Sequence, residues 1–190
     1  MDDETLLRRV KKGERIPEQQ LALVRERLAA PVTSQDKYTL LHILWRSHDL
    51  KAKDVVVQQL GDSDEMVRRI AVQALTELWP SEEAFQIARR MLHDPSKHVR
   101  MAAAAGIGEL GVALRQRTAD AALLLLERFD SLQSEGGPEW ESYYDGLLTI
   151  ANVPYGKRPL ATRPLSRSDV DEDVIRHARA LAATTVNQRN

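Results

Sequence analysis

The chain has 190 residues, enough for one domain with a hydrophobic core. Its 27 basic and 28 acidic residues nearly cancel, whereas a dedicated nucleic-acid-binding protein usually has a clear basic excess. The absence of cysteine excludes disulfides, zinc–thiolate sites and thiol nucleophiles. The sequence predicts neither a secretory signal nor a membrane span, and we expect a cytoplasmic protein.

Residues 1–47 predict one degenerate pair of helices, preceded by a short helix over 4–11. Pro17 favours the start of a helix, Pro31 ends that helix, and Ser34 is a candidate N-cap for the next one. Apolar residues recur at helical spacing in both segments. A degenerate pair is typical of the end of a repeat array, where the outer face must be polar.

Residues 50–111 contain two clear copies of a repeat. Asp62 and Asp94 are 94 − 62 = 32 residues apart, and an arginine follows each of them six residues later, Arg68 and Arg100. Apolar residues and alanines then recur at intervals of three and four, which predicts an amphipathic helix in each copy. A shorter helix precedes each of these, so the repeat unit is a pair of helices joined by a tight turn.

The turn residues predict where the second helix of each copy begins. We expect Asp62 and Asp94 to be N-caps, because their carboxylates can accept hydrogen bonds from the first free amides. Glu65 has the capping-box spacing from Asp62, and Pro95 would occupy the first helical position.

This pattern resembles the HEAT-repeat family: an Asp in the turn, an Arg six residues later, then spaced alanines. The resemblance implies an all-α superhelix or solenoid, here of about four to five HEAT-like helix pairs with a C-terminal capping helix. It also implies that Asp62, Arg68, Asp94 and Arg100 form a structural ladder linking adjacent repeats. We expect residues 1–190 to form a single domain of this kind.

Residues 116–152 predict another degenerate repeat. A strongly apolar helix covers 118–132, a break follows at 134–138, and a second helix runs from residue 139 to about 152. Residues 168–186 predict a last helix, capped by Ser168, that covers the C-terminal end of the stack.

Residues 153–167 predict a basic, proline-containing loop. Three prolines spaced five apart forbid a helix, and no acidic residue interrupts the basic ones. These charges either pair with the acidic stretch over 127–145 or form a contact surface for an acidic partner. In the second case Lys157, Arg158 and Arg163 are binding residues.

Two motifs suggest chemistry but fit it poorly. Gly106, Gly108 and Gly111 match a dinucleotide fingerprint, yet a helix rather than a strand precedes them, and Gly111 is better explained as a helix terminator. His93 and His98 lie five residues apart across a turn, unlike a zinc-binding helix. We therefore predict no catalytic residue, no metal and no cofactor.

The stretch Trp140–Asp145 places aromatic rings beside carboxylates, a combination that can hold a base or a sugar. Trp140 and Tyr144 also belong to an apolar stripe at helical spacing. We therefore interpret the aromatic residues as core, with a ligand site as the alternative.

The second helices of HEAT-like pairs line a groove, and we expect Arg69, Gln73 and Met101 to point toward it. This mixture suits a protein ligand better than a phosphate backbone, which favours runs of Lys and Arg. The main hypothesis is therefore a protein-interaction module: a scaffold, adaptor or inhibitor. The alternatives are a nucleic-acid-binding or DNA-glycosylase-like HEAT protein, and an accessory enzyme such as a HEAT-like chromophore lyase. The sequence does not indicate the oligomeric state.

Overall fold

A computed structural model describes residues 2–132, 137–159 and 165–189, and every regular element in those ranges is helical. None of the described helices is long and apolar enough to cross a membrane. The α-helices are α1 Asp3–Lys11, α2 Glu18–Ala29, α3 Ser34–Arg46, α4 Lys53–Gln58, α5 Glu65–Leu78, α6 Glu82–Met91, α7 Lys97–Ala113, α8 Thr118–Leu132, α9 Pro138–Ile150 and α10 Glu172–Arg189.

The chain divides into two compact units, Met1–Trp79 and Pro80–Asn190. In the first unit α3 packs against both α1 and α5, so these three helices lie side by side. Helix α2 packs against α3 and α4 packs against α5, which gives two helix pairs. The prediction of a helical pair over 17–47 is therefore confirmed.

The core of the first unit comes from apolar residues at helical spacing. Each helix carries a polar face and an apolar face, and burial of the apolar face stabilises the pair because it removes that area from water. The fully covered side chains include Leu40, Leu41, Ile43, Leu44, Ile70, Ala71, Ala74 and Leu75.

In the second unit α6 pairs with α7 and α8 with α9, while α7 also packs closely on α9. Helix α10 lies on α8 and α9 and buries Val174 and Ala178. The predicted cap at Ser168 is wrong, because α10 begins only at Glu172 and the side chain of Asp171 accepts the amide hydrogen of Asp173. Ser168 lies in a short 3-10 turn before it.

Aromatic residues fill the centre of the second unit. Trp140 stacks on Phe129 with ring centroids 5.1 Å apart, and Tyr144 lies 6.2 Å from Trp140. Both Trp140 and Tyr144 are buried, which confirms their interpretation as core. Tyr143 is also fully buried. The predicted break between α8 and α9 falls mostly outside the described residues; Gly137, at its end, has a positive φ of 87°.

Glycine allows α7 to approach α9 and α8 closely. A Cβ atom at Gly108 would lie 2.8 Å from the Cα of Gly146, and one at Gly111 would lie 2.7 Å from the Cβ of Ala121. The prediction that Gly111 terminates its helix is wrong, because α7 continues to Ala113. The glycines are needed for close packing of helices rather than for a turn.

The predicted N-caps are displaced by two residues. Asp64 caps α5 by accepting from the amides of Met66 and Val67, and Ser96 caps α7. Asp62 and Asp94 instead accept from the backbone amides of Asp64 and Ser96, so they shape the turn that precedes each cap. The predicted capping box of Asp62 with Glu65, and Pro95 at the first helical position, are wrong for the same reason.

A basic side chain stands four residues after the N-cap of α3, α5 and α7. The caps are Thr33, Asp64 and Ser96, and the basic residues are therefore Lys37, Arg68 and Arg100. Helical side chains lean toward the N-terminus, so a long side chain at this position reaches back over the preceding turn.

These basic residues hold the turns. Arg68 donates to the carbonyls of Asp62 and Ser63 at 2.9 and 3.0 Å, and Arg100 donates to that of Asp94 at 2.8 Å. Lys37 pairs with the carboxylate of Asp62, which lies in the turn of the next helix pair. Burial alone would raise the pKa of Asp62, but hydrogen bonds from Lys37 and from the Asp64 amide hold it below its ordinary value.

Arg100 also connects one helix pair to the next. Its Nε and Nη2 donate to the two carboxylate oxygens of Glu139 on α9, each at 2.6 Å. Such a bidentate contact fixes orientation as well as distance. Lys37 with Asp62, and Arg100 with Glu139, therefore tie consecutive pairs together within each unit.

The packing at Gly108 gives a direct test of the close approach between α7 and α9. We expect Gly108→Ala to lower the free energy of unfolding by about 1–3 kcal/mol, because the added methyl meets backbone atoms that cannot move independently. Gly61→Ala is the matched control, since nothing lies within 4 Å of its added Cβ, and it should change stability by less than about 0.5 kcal/mol. Equal effects of the two changes in urea unfolding would contradict this packing.

Candidate functional site: an aromatic and basic face in the first unit

The α3–α5 face consists of side chains on three neighbouring helices. Helix α3 contributes residues at helical spacing, and α5 contributes residues spaced four apart. Lys11 lies at the end of α1. We define the face by these residues: Lys11, Tyr38, His42, Trp45, Arg46, Arg69, Gln73 and Glu77.

Ring contacts run along the α3 part of this face. The edge of Tyr38 meets the ring of His42 with centroids 4.6 Å apart, and His42 lies 5.5 Å from Trp45. The guanidinium of Arg46 sits 5.1 Å above the Trp45 ring. Cation–π and edge-to-face contacts hold such side chains in place while leaving parts of them accessible.

Hydrogen bonds connect α3 to α5 across the face. The indole N–H of Trp45 donates to Glu77 at 2.7 Å, and the amide of Gln73 donates to the other carboxylate oxygen at 3.2 Å. Glu77 therefore positions both side chains. Trp45 and Gln73 are half-buried, so the face is preorganised rather than free to rearrange.

Two buried polar atoms on the face have no hydrogen-bond partner, namely Nδ1 of His42 and Nε of Arg69. Covered polar groups normally have a partner, because leaving one unpaired costs about 1–3 kcal/mol. These two atoms lie on adjacent helices that pack together. The fold therefore leaves one nitrogen atom on each of these two helices without a hydrogen-bond partner.

Three cations act on His42. Burial is the largest cause that lowers the pKa of His42 to about 4, and the cations of Arg46, Arg69 and Lys11, in that order, contribute to the same shift. His42 is therefore neutral at pH 7.

The sequence prediction located the α5 part of this face but missed the α3 part. Arg69 and Gln73 stand five and nine residues after the cap Asp64. The same positions after Thr33 are Tyr38 and His42. Aligning α3 on its cap, rather than on the Asp and Arg spacing that it lacks, would have found them.

The remaining predicted binding residues lie in the second unit. Met101 on α7 helps to line a cavity of about 310 Å³, together with α9 and the loop that follows it. Arg158 lines the same cavity, where it donates to Asp145 at 2.8 Å and to the carbonyl of Val153 at 3.1 Å. Arg158 thus pairs with the acidic stretch. Lys157 is exposed, and Arg163 lies outside the described residues.

Comparison with known families identifies the architecture. A family model described as HEAT repeats matches residues 36–135, which is 100 of the 190 residues. The chain belongs to the HEAT-repeat family. A comparison with curated proteins gives no significant match.

The HEAT match begins within α3 and ends just beyond α8. It therefore includes Lys37, the basic residue of α3 that corresponds to Arg68 and Arg100. It also includes most of the α3–α5 face. The helix pairs recognised from the Asp and Arg spacing over 50–111 are thus a part of a longer run of HEAT repeats.

The low pKa of His42 predicts how stability depends on pH. The unfolded chain takes up this proton near pH 6.5 and the folded protein only near pH 4. The contribution of His42 to stability is therefore complete above pH 6.5 and is lost progressively as the pH falls toward 4. The unfolding free energy of the wild type falls between pH 7 and pH 4.5. We expect this fall to be smaller by about 1–2 kcal/mol in His42→Gln.

His177→Gln is the matched control, because His177 is exposed on α10. Urea unfolding at the two pH values measures both variants. A pH dependence that His42→Gln leaves unchanged would show that His42 is not held neutral by its surroundings.

Proposed function

We propose that this HEAT-repeat protein binds another protein and that the α3–α5 face is its main contact surface. HEAT repeats generally serve as protein-interaction scaffolds. The observation that carries the proposal is the composition of the face: Tyr38, Trp45, Arg46 and Arg69 project from packed helices. Tyr, Trp and Arg are the residues that most often dominate the binding energy of protein interfaces.

The environment of Trp45 argues against a nucleic-acid partner. Single-stranded nucleic acids need free aromatic faces on which bases stack. Arg46 covers one face of the Trp45 ring, and Glu77 brings a negative charge to the indole edge. A phosphate backbone would be repelled by that carboxylate, and the chain has no overall basic excess.

The carboxylates of the Trp140–Asp145 stretch, which suggested a site for a base or a sugar, have structural contacts. Asp145 pairs with Arg158, and Glu141 accepts the backbone amide hydrogen of Leu165 at 2.9 Å. Tyr144 accepts the amide hydrogen of Asp171 at 2.6 Å. These groups hold the loop and α10 against α9, and we propose a binding protein rather than an enzyme. We place it in the cytoplasm, where a protein without cysteine needs no oxidation to fold.

Affinity capture from a native lysate, with nuclease and over a range of salt, tests this proposal. The face variant is Tyr38→Ala with Gln73→Ala, which removes contact area without changing charge. The matched control is Leu23→Ala with Gln58→Ala, two exposed residues on α2 and α4. Circular dichroism checks that both remain folded.

We expect the wild type and the control to retain a nuclease-resistant protein in stoichiometric amounts, and the face variant to bind it at least ten times more weakly. Capture that nuclease abolishes would contradict the proposal. Equal capture of the protein by the face variant would show that the α3–α5 face is not the contact surface.

A further inference from the structure

Several cations of the first unit are neutralised by internal ion pairs. Five such pairs are Arg9 with Glu14, Arg25 with Asp49, Arg27 with Asp3, Lys37 with Asp62 and Lys51 with Glu18. These contacts connect helices or their flanking turns. The basic side chains at these contacts therefore have a carboxylate beside them.

Three cations of the α3–α5 face depart from this pattern. Lys11, Arg46 and Arg69 belong to none of the ion pairs found among the residues that the structure describes. Arg46 lies over the Trp45 ring, and Nε of Arg69 is covered without an acceptor. The Trp45 ring is 5.5 Å from the His42 ring, and the helices that carry the three cations, α1, α3 and α5, lie side by side. All three cations also lower the pKa of His42.

This arrangement costs free energy in the isolated protein. Like charges repel one another, and partial burial weakens the screening that water would provide. A carboxylate placed among these cations would reduce the repulsion and accept hydrogen bonds from the charged Lys and Arg side chains. An Arg guanidinium suits this role because it can present two parallel N–H groups to one carboxylate.

We propose that Lys11, Arg46 and Arg69, together with His42, form a docking site for an acidic side chain of the protein partner. The inference rests on the proposed function and adds the chemistry of the residue that anchors the partner. The His42 ring lies between Tyr38 and Trp45, and its covered Nδ1 atom has no hydrogen-bond partner. Because His42 is neutral, it accommodates a carboxylate without adding a fourth repelling charge to the free protein.

The occupant is an acidic protein segment rather than a nucleic acid. Three cations at one point match one or two carboxylates, whereas a nucleic acid requires basic residues along a line. Glu77 borders the site through its bonds to Trp45 and Gln73. A side chain that reaches past Glu77 to the cations meets less repulsion than a continuous phosphate backbone.

Nuclear magnetic resonance titration of the full chain with a blocked hexaglutamate peptide at low ionic strength tests the proposal. Inorganic phosphate and a single-stranded hexanucleotide are the comparison probes. The variants are Arg69→Gln and, as a matched control, Arg15→Gln at an exposed arginine between α1 and α2. The readouts are the dissociation constant and the pKa of the His42 ring.

We expect hexaglutamate to raise the pKa of His42 by about one unit, because a carboxylate nearby favours its protonated form. Arg69→Gln should raise the dissociation constant of the peptide at least tenfold, and Arg15→Gln should leave it unchanged. Arg69→Lys should recover part of the affinity, since it restores the charge without the planar fork.

An unchanged His42 pKa, equal affinity of Arg69→Gln, or tighter binding of the hexanucleotide or phosphate than of hexaglutamate would each overturn the inference. These outcomes leave the proposed function standing if Tyr38→Ala with Gln73→Ala still abolishes capture of the protein partner. The partner would then bind the face without an acidic anchor.

Discussion

Basic residues four positions after the N-caps of α3, α5 and α7 hold turns and connect helix pairs in this protein. Arg68 and Arg100 lean back toward the turn before their helix, because helical side chains point toward the N-terminus. Arg68 and Arg100 bind the carbonyls of that turn, which would otherwise lack partners. Lys37 and Arg100 also reach a carboxylate of the next helix pair. Arg100 makes both kinds of contact, so turn geometry and the stacking of pairs depend there on the same side chain.

Once the turns are held, small residues set how closely the helices pack. Gly108 and Gly146 let α7 and α9 come into backbone contact. The aromatic cluster of Trp140, Tyr144 and Phe129 then fills the space beside α8. This core explains why α9 carries aromatic residues next to carboxylates: the rings are buried, and the carboxylates bind the backbone and Arg158 at its surface.

The repeat over 50–111 was predictable because the Asp and Arg positions recur with an offset of 32, and that spacing directly reflects the helix pair. The caps were assigned two residues too early because Asp62 and Asp94 have the right chemistry for capping, but they bind the amides of Asp64 and Ser96 instead. From sequence alone, Gly111 fits a helix end as well as a position of close helix packing. The position of Ala121 decides for close packing, because a Cβ atom at Gly111 would overlap it.

The candidate site was less predictable than the fold. Arg69 and Gln73 followed from the repeat, but Lys11, His42 and Arg46 come from helices that lack the Asp and Arg pattern. Their convergence depends on how α1, α3 and α5 lie beside one another, which sequence spacing within one helix does not contain. Whether Arg69 has an ion-pair partner also depends on the packing of three helices, because a carboxylate on α1 or α3 could otherwise reach it.

Arg68 and Arg69 are adjacent in sequence, and the account gives them opposite roles. Arg68 stabilises the turn before α5, whereas Arg69, whose covered Nε has no acceptor, belongs to the proposed docking site. Thermal unfolding of Arg68→Gln and Arg69→Gln, compared in the same buffer, separates these roles. The account predicts that Arg68→Gln lowers Tm by about 5 °C, because two hydrogen bonds from a charged donor are lost. It predicts that Arg69→Gln leaves Tm unchanged or raises it. A larger loss of stability in Arg69→Gln than in Arg68→Gln would contradict it.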